Sequence, residues 1–391
     1  MTTPARRAQP EQREQLAAIV LLVVGIVWAA FRTWRSVAML FARSHDLDIY
    51  YSLWFLLCHR DYAALALSQA LYLPHTWFVL TPLFTLGWPA ARALMFLLNI
   101  ASIAYLWWRL SNLTGLAGLR RWLLLVFFWG WLGTGLILGL GNLALVCVAA
   151  AVAAFPFKTA TNSIFLTLSA MKQSLIFPLY FHLLLKRPKI LIIPFVTFTV
   201  CGVALLFWAR LGIADIPHLA KGPVDIANGW TLYDFTCMRR LLVPLFGHGL
   251  IATIALWAIW FALFEICARF IKDPLTQLAA LLLLSLLPMY HQKYDLVTAI
   301  PMLAVLLRRC SLVWPTLMTL SLATDIGASF SRYLPAGSAR NAAQVLEQGY
   351  YPVLILAFLA GLIWLEIKSP DQAFASEQSS PPNPQTAGDP A

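Results

Sequence analysis

The chain is a succession of long apolar runs separated by short polar intervals. Runs over 16–36, 71–86, 90–109, 122–138, 142–157, 163–185, 190–209, 249–270, 275–289, 295–307, 311–326 and 350–367 approach the roughly 20 residues that a helix needs to cross hydrocarbon. No period-two alternation is sustained, which argues against a β-barrel. A helical bundle is then the remaining way to satisfy the backbone in lipid. The pattern predicts an all-α polytopic membrane protein with about 12 transmembrane helices. Several runs, 295–307 above all, are short for a crossing, and short or broken helices are tolerated where protein shields them. Residues 1–15 read as a cytoplasmic N-terminal segment and 16–368 as the transmembrane body. The tail 369–391, rich in Ser, Pro, Gln and Ala, has the composition of a disordered segment. No internal repeat is detectable.

The polar intervals orient these runs. With the N-terminus in the cytoplasm, Arg6, Arg7, Arg13, Lys186, Arg187, Lys189, Arg269, Lys272, Arg308, Arg309 and Lys368 all fall inside, as the positive-inside rule requires. Arg120 and Arg121 are the exception and fall outside in this count. Arg6, Arg7 and Arg13 precede the run Leu16–Phe31 with no small-x-small site before Asp46, which reads as an uncleaved signal-anchor. Segments 37–70, 210–248 and 327–349, and the turn 288–295, then face outward. The expectation is a multi-pass protein of the plasma (inner) membrane with its polar chemistry on the external face.

Composition narrows the classes further. With 60% hydrophobic and 12% charged residues, a soluble globular domain is excluded. The net charge of +11 sits in clusters between spans, where topology accounts for it, so no nucleic acid partner is expected. The six cysteines lack paired metal spacing. Cys58 and Cys237 both lie in predicted external segments, which leaves a disulfide between them open.

The scarce polar residues then carry the weight. Asp46 and Asp48 follow the first apolar run, in Ser44-His45-Asp46-Leu47-Asp48-Ile49-Tyr50-Tyr51; a carboxylate there is a base, a cation ligand or a simple helix cap. Lys172 lies well inside an apolar run, where an ammonium faces a cavity or a partner or is held in a buried structural ion pair. Asn99 and Asn142 are polar within or near spans; Asn99 suits helix–helix contact, and Glu265 reaches the inner interface. His291, Lys293 and Asp295 form either an anion site or a polar turn between helices. Arg239 and Arg240 run against the topological preference, which suits a lipid phosphate or snorkelling to headgroups. Trp230 lies in a segment suited to interfacial anchoring or to an acceptor groove. The chain has no Gly-rich phosphate loop, His-Glu-x-x-His or Gly-x-Ser-x-Gly motif.

Taken in order, these segments resemble glycosyltransferase family 87, polytopic GT-C enzymes that use polyprenyl-phosphate sugars. Asp46-Leu47-Asp48-Ile49-Tyr50-Tyr51 resembles the family's Asp-Phe-x-Val-Tyr-Tyr. Tyr72-Leu73-Pro74 through Thr81-Pro82-Leu83 is similar to its Tyr-Pro-Pro…Pro-Leu stretch. Gly139-Leu140-Gly141-Asn142 resembles Gly-Gln-x-Asn, Lys172-Gln173 resembles Lys-Pro-Gln, and Pro288 with Tyr294-Asp295 is similar to the late Pro…Tyr-Asp element. The resemblance covers roughly residues 16–310, with motifs that are individually weak and stronger for their order. Leu140, Gln173 and His75 depart from it.

The resemblance implies a GT-C bundle with short external amphipathic segments and an inverting hexosyltransferase that moves mannose or another hexose. Asp46 would be the base, with Asp48 the second choice. His291, Lys293, Lys172 and Arg239 would hold the donor phosphate, and Tyr50, Tyr51, His75, Asn142 and Trp230 would line the acceptor and sugar pocket. No cofactor or divalent metal is demanded. The implied partners are a polyprenyl-phosphate-linked sugar, a glycolipid or polysaccharide acceptor, and the bilayer. A transporter or lipid flippase is the competing class, although such folds often show repeated halves; a non-catalytic membrane scaffold is the third.

Overall fold

The computed structural model describes residues 10–42, 45–59, 72–210, 212, 214, 237–247, 249–288, 291–324, 334–335 and 337–368. All regular structure among them is helical. The chain opens with α1 (Pro10–Ala42), α2 (His45–His59), α3 (Pro74–Thr85), α4 (Trp88–Thr114), α5 (Gly118–Trp129) and α6 (Leu132–Leu140). It continues with α7 (Ala144–Ala154), α8 (Ala160–Ser169), α9 (Phe177–Lys186), α10 (Ile192–Ala209), α11 (Arg239–Phe246) and α12 (Leu250–Phe270). The last elements are α13 (Pro274–Leu284), α14 (Ile300–Arg309), α15 (Val313–Thr324) and α16 (Ser338–Lys368). Tight 3₁₀ turns occupy Ala170–Leu175, Pro188–Leu191 and Lys293–Ala299.

Among the described residues, five helical stretches are long and apolar enough to cross a membrane, or six if the α5–α6 pair, bent by 58°, is one span. About twelve spanning helices are therefore not shown among the described residues. The runs at 71–86, 142–157, 163–185, 275–289 and 295–307 form helices of 10 to 12 residues. At 1.5 Å per residue these are about 15–18 Å long, roughly half of the ~30 Å hydrocarbon layer.

One end of the bundle is basic, and its contacts are continuous. Arg187 donates to the Pro156 carbonyl at 3.0 Å, and Arg109 donates to the carbonyl of neighbouring Phe155 at 3.0 Å. Arg120 pairs with Glu14 near the start of α1 and donates to the Leu307 carbonyl at 2.8 Å. Arg309 binds Glu366 and stands 3.5 Å from Asp273, while Glu366 accepts from the backbone N–H groups of Lys272 and Asp273 at 3.1 Å each. This polar clamp fastens α13, α14 and α16 together.

The same contacts correct the expected position of Arg120, which lies at the N-terminal end of α1 with the other cations rather than at the opposite end. The reason is α3. With 12 residues and Pro82 inside it, α3 is too short to cross alone. It returns the chain to the end from which α2 starts, where Arg92 of α4 stands 3.8 Å from Asp48. Dropping that one crossing would by itself move Lys186, Arg187, Lys189, Arg308 and Arg309 to the other side; they stay with Arg120 because α8 and α9 run out to the Lys172 turn and back to Arg187, so the 163–185 run also counts as no crossing.

Away from the basic end, α1 is held against α5 and α6 by close approaches at glycine. A Cβ on Gly25 would meet Val126 at 2.7 Å, one on Gly130 would meet Trp28 at 2.9 Å, and one on Gly139 would meet Met39 Sδ at 2.8 Å. Small residues let helices in lipid approach closely enough for dispersion and backbone contacts to hold them. Ser36 uses this proximity to donate to the Gly135 carbonyl at 2.7 Å.

The topology has a direct check in single cysteines placed at positions 48, 120 and 309 of a cysteine-free protein in sealed vesicles. Membrane-impermeant thiol reagents are expected to modify 120 and 309 from one side and 48 from the other; labelling of 48 and 120 from the same side would refute this arrangement.

Candidate functional site

The half-length helices other than α3 share a property: the basic end lies at one terminus of each, and a break in the helix lies at the other. α7 runs from the Asn142 turn down to Phe155, and α8 rises to a 3₁₀ turn carrying Lys172, from which α9 descends to Arg187. α13 rises from Asp273, and after Ser285–Pro288 the chain passes His291 and the 293–299 turn before α14 descends to Arg309. The breaks meet inside the protein, where irregular backbone is tolerated in a membrane. Each break carries a polar side chain.

Lys172 departs from helical geometry, with φ −119° and ψ 80°, which turns its side chain out of the helix path. Its ammonium binds Asp295 Oδ1, and Asp295 is 2% exposed. His291, fully buried, meets Asp295 Oδ2 through Nδ1 at 3.1 Å and the Ser285 carbonyl through Nε2 at 2.9 Å. A nitrogen facing a carbonyl must carry the hydrogen, so Nε2 donates. The Gln292 backbone N–H adds a donor to Asp295 at 3.2 Å. The Lys172 ammonium and the Gln292 N–H thus donate to one buried carboxylate that the His291 ring also faces, which is what keeps such a charge tolerable out of water. The Lys172 ammonium also lies 4.6 Å from the centre of the Tyr294 ring.

Asp46 joins this group from the other side. Its Oδ2 accepts from Asn142 Nδ2 at 2.8 Å, and the Tyr294 hydroxyl hydrogen-bonds the same carboxylate. Lys172 and Asp295 are its charged neighbours. The Asn142 orientation is fixed by chemistry: its other amide atom accepts from the Ala144 backbone N–H at 2.8 Å. That atom must be the oxygen, so the NH₂ faces Asp46. Asp46 sits in the first turn of α2, where the helix dipole favours a carboxylate. Its register is set one residue later. Gly141, at φ +69°, has no side chain where Leu47 packs, and a Cβ there would lie 2.9 Å from Leu47 Cβ. Below, Gly133 lets α6 touch the 293–294 backbone, 3.1 Å from the Lys293 carbonyl to the Cβ position.

The sequence candidates separate accordingly. Asp46, Asn142, Lys172 and His291 come together, with Tyr50 beside them; the Tyr72 hydroxyl donates to the Tyr50 hydroxyl at 2.9 Å. Asp48, one turn-position away, instead faces Arg92 and is about half exposed. Tyr51 packs among Trp54, Phe84 and Trp88. The His75 ring lies 4.8 Å from that of Phe198, tilted by 35°, and does not join the Asp46 group. Lys293 contributes its backbone to the packing against Gly133. Arg239 opens α11, its N–H 3.4 Å from Cys237 Sγ. Trp230 lies outside the described residues. Cys58 and Cys237 are both free thiols, one exposed and one buried. Asp295 and Tyr294 were underweighted by the sequence; the available signal was the Gln292-x-x-Asp295 spacing, which closes as a reciprocal cap.

No protein-family model, curated protein or solved structure matches the chain.

Because Lys172 and Asp295 neutralise each other away from water, removing one should cost far more than removing both. Lys172→Met alone is expected to destabilise by about 3–5 kcal/mol, and Lys172→Met with Asp295→Leu to recover most of that loss. Unfolding measurements in detergent check it; strictly additive single and double effects would mean the pair is not coupled.

Proposed function

We propose that this chain is a membrane-embedded glycosyltransferase of GT-C type that takes a hexose from a polyprenyl-phosphate donor and inverts the anomeric centre. The observation that carries the proposal is the conjunction of a half-buried carboxylate, a lysine and an apolar groove. A cavity of about 630 Å³ begins at Leu143 and Met171, the chain neighbours of Asn142 and Lys172, and extends along α7 to Ala153. Ala149, Ala150 and Ala153 leave the space, and Val79, Leu83 and Leu98 line its outer wall. A lipid-linked phosphate suits this arrangement, with the headgroup at the polar cluster and the chain in the groove.

The chemistry follows from the atoms present. Asp46 removes the proton of an acceptor hydroxyl, which attacks the anomeric carbon. The bond from that carbon to the phosphate oxygen breaks, and polyprenyl phosphate departs with the electron pair. Asn142, whose NH₂ is committed to Asp46, holds the base in position. Lys172 is the cation for the departing phosphate. An ammonium has three donors, so its bond to Asp295 does not exhaust it. His291, fully buried, acts through Asp295 rather than on the donor. The reading needs no divalent ion, since Lys172 supplies positive charge where the leaving group forms. The acceptor in this reading is a glycolipid or polysaccharide.

A transporter or flippase is the second reading, favoured by the meeting of broken helices around a buried ion pair, a pattern that membrane transporters use. The two part on covalent product. Membranes containing the chain, given labelled polyprenyl-phosphate mannose, are expected to yield a glycosylated acceptor. Asp46→Asn should lower turnover by about 100-fold or more, the scale of general-base loss, while Asp48→Asn changes it little. Movement of intact donor across the bilayer without transfer would establish the second reading instead.

A further inference from the structure

The opposite end of the bundle holds a feature that the cluster at Asp46 does not use. The 155–163 and 186–193 segments enclose a concavity of about 740 Å³ lined by Lys158, Lys186, Arg187 and Lys189, with no carboxylate among its lining residues. We propose that this concavity binds the phosphate group of an anionic phospholipid.

A topological signal needs cations on one side of the membrane but does not need them to converge. Here they are made to converge. The Arg187 guanidinium donates to the Pro156 and Phe157 carbonyls at 3.0 and 3.3 Å, tying the two segments together. Phe157 adopts φ +60°, a conformation that side chains other than glycine rarely take. That turn delivers Lys158 to the rim. Thr159 and Asn162 then cap α8 reciprocally, so the positive end of the helix dipole adds to the same field. Next to the concavity, Ile192, Ile193 and Val196 of α10 are exposed at 58%, 37% and 56%. They give acyl chains an apolar wall beside the charged pocket, the pairing by which cationic pockets near a membrane surface hold lipid headgroups.

The test uses the full chain in nanodiscs of phosphatidylcholine, with and without phosphatidylglycerol, and reads thermal stability and the affinity for a short-chain fluorescent phosphatidylglycerol. Lys158→Ala with Lys189→Ala is expected to weaken binding about tenfold or more and to abolish the stabilisation by phosphatidylglycerol, with unchanged stability in phosphatidylcholine alone. Arg269→Ala, a cation outside the pocket, should leave both readouts unaltered. Inorganic phosphate is the second arm: if it stabilises the wild type in phosphatidylcholine and not the double variant, the pocket takes the phosphate from solution rather than from lipid. Equal binding by wild type and double variant, or equal loss in Arg269→Ala, would overturn the assignment.

Discussion

The pairing of Lys172 with Asp295 is the contact on which the interior depends. Each residue is carried to a break between two helices too short to cross alone, and neither charge is tolerable in a low-dielectric interior without the other. Their attraction closes the 160–186 and 274–309 segments on one another. His291 and the Gln292 N–H complete the shell, and Gly133 lets α6 press against the backbone beside it. Next to Asp46, Leu47 packs against Gly141, where a Cβ would lie 2.9 Å away. The polar centre is therefore assembled from four separate stretches of sequence, each anchored by an apolar or glycine contact next to its charged residue.

The helical class was legible because hydrophobic runs and the absence of strand alternation are local properties. The number of crossings was not, because a run such as Pro74–Thr85 has the composition of a span but forms only 12 residues of helix. Arg120 illustrates the consequence: the twelve-run count separates it from the N-terminal cations, whereas its side chain pairs with Glu14 near the start of α1. Arg120 groups with the other cations only when two runs, 71–86 and 163–185, drop out of the count.

At the polar centre, the sequence identified residues better than relationships. Asp46, Asn142, Lys172 and His291 stood out as polar groups in apolar surroundings, which is a cost visible in one dimension. Whether Lys172 faces a cavity or an ion pair depends on which residue stands opposite, and Asp295 is 123 positions away. His75 and Tyr51 were equally conspicuous yet pack against aromatic rings, because an imidazole or a phenol has a large apolar body that fits such places. Nothing in spacing alone distinguishes those outcomes.

The alanine-lined groove along α7 opens sideways, between helices whose outer residues Leu86 and Leu94 are exposed. For the proposed lipid-linked donor, entry through this opening would be by diffusion in two dimensions. Its occupancy is then governed by the mole fraction of a molecule among the surrounding lipids rather than by its aqueous concentration. A poorly soluble ligand at trace abundance in water is, for this groove, a solute in a film a few nanometres thick. Selection between competing ligands falls first on how they partition and on how their tails pack, and only afterwards on the charged groups at the head of the groove.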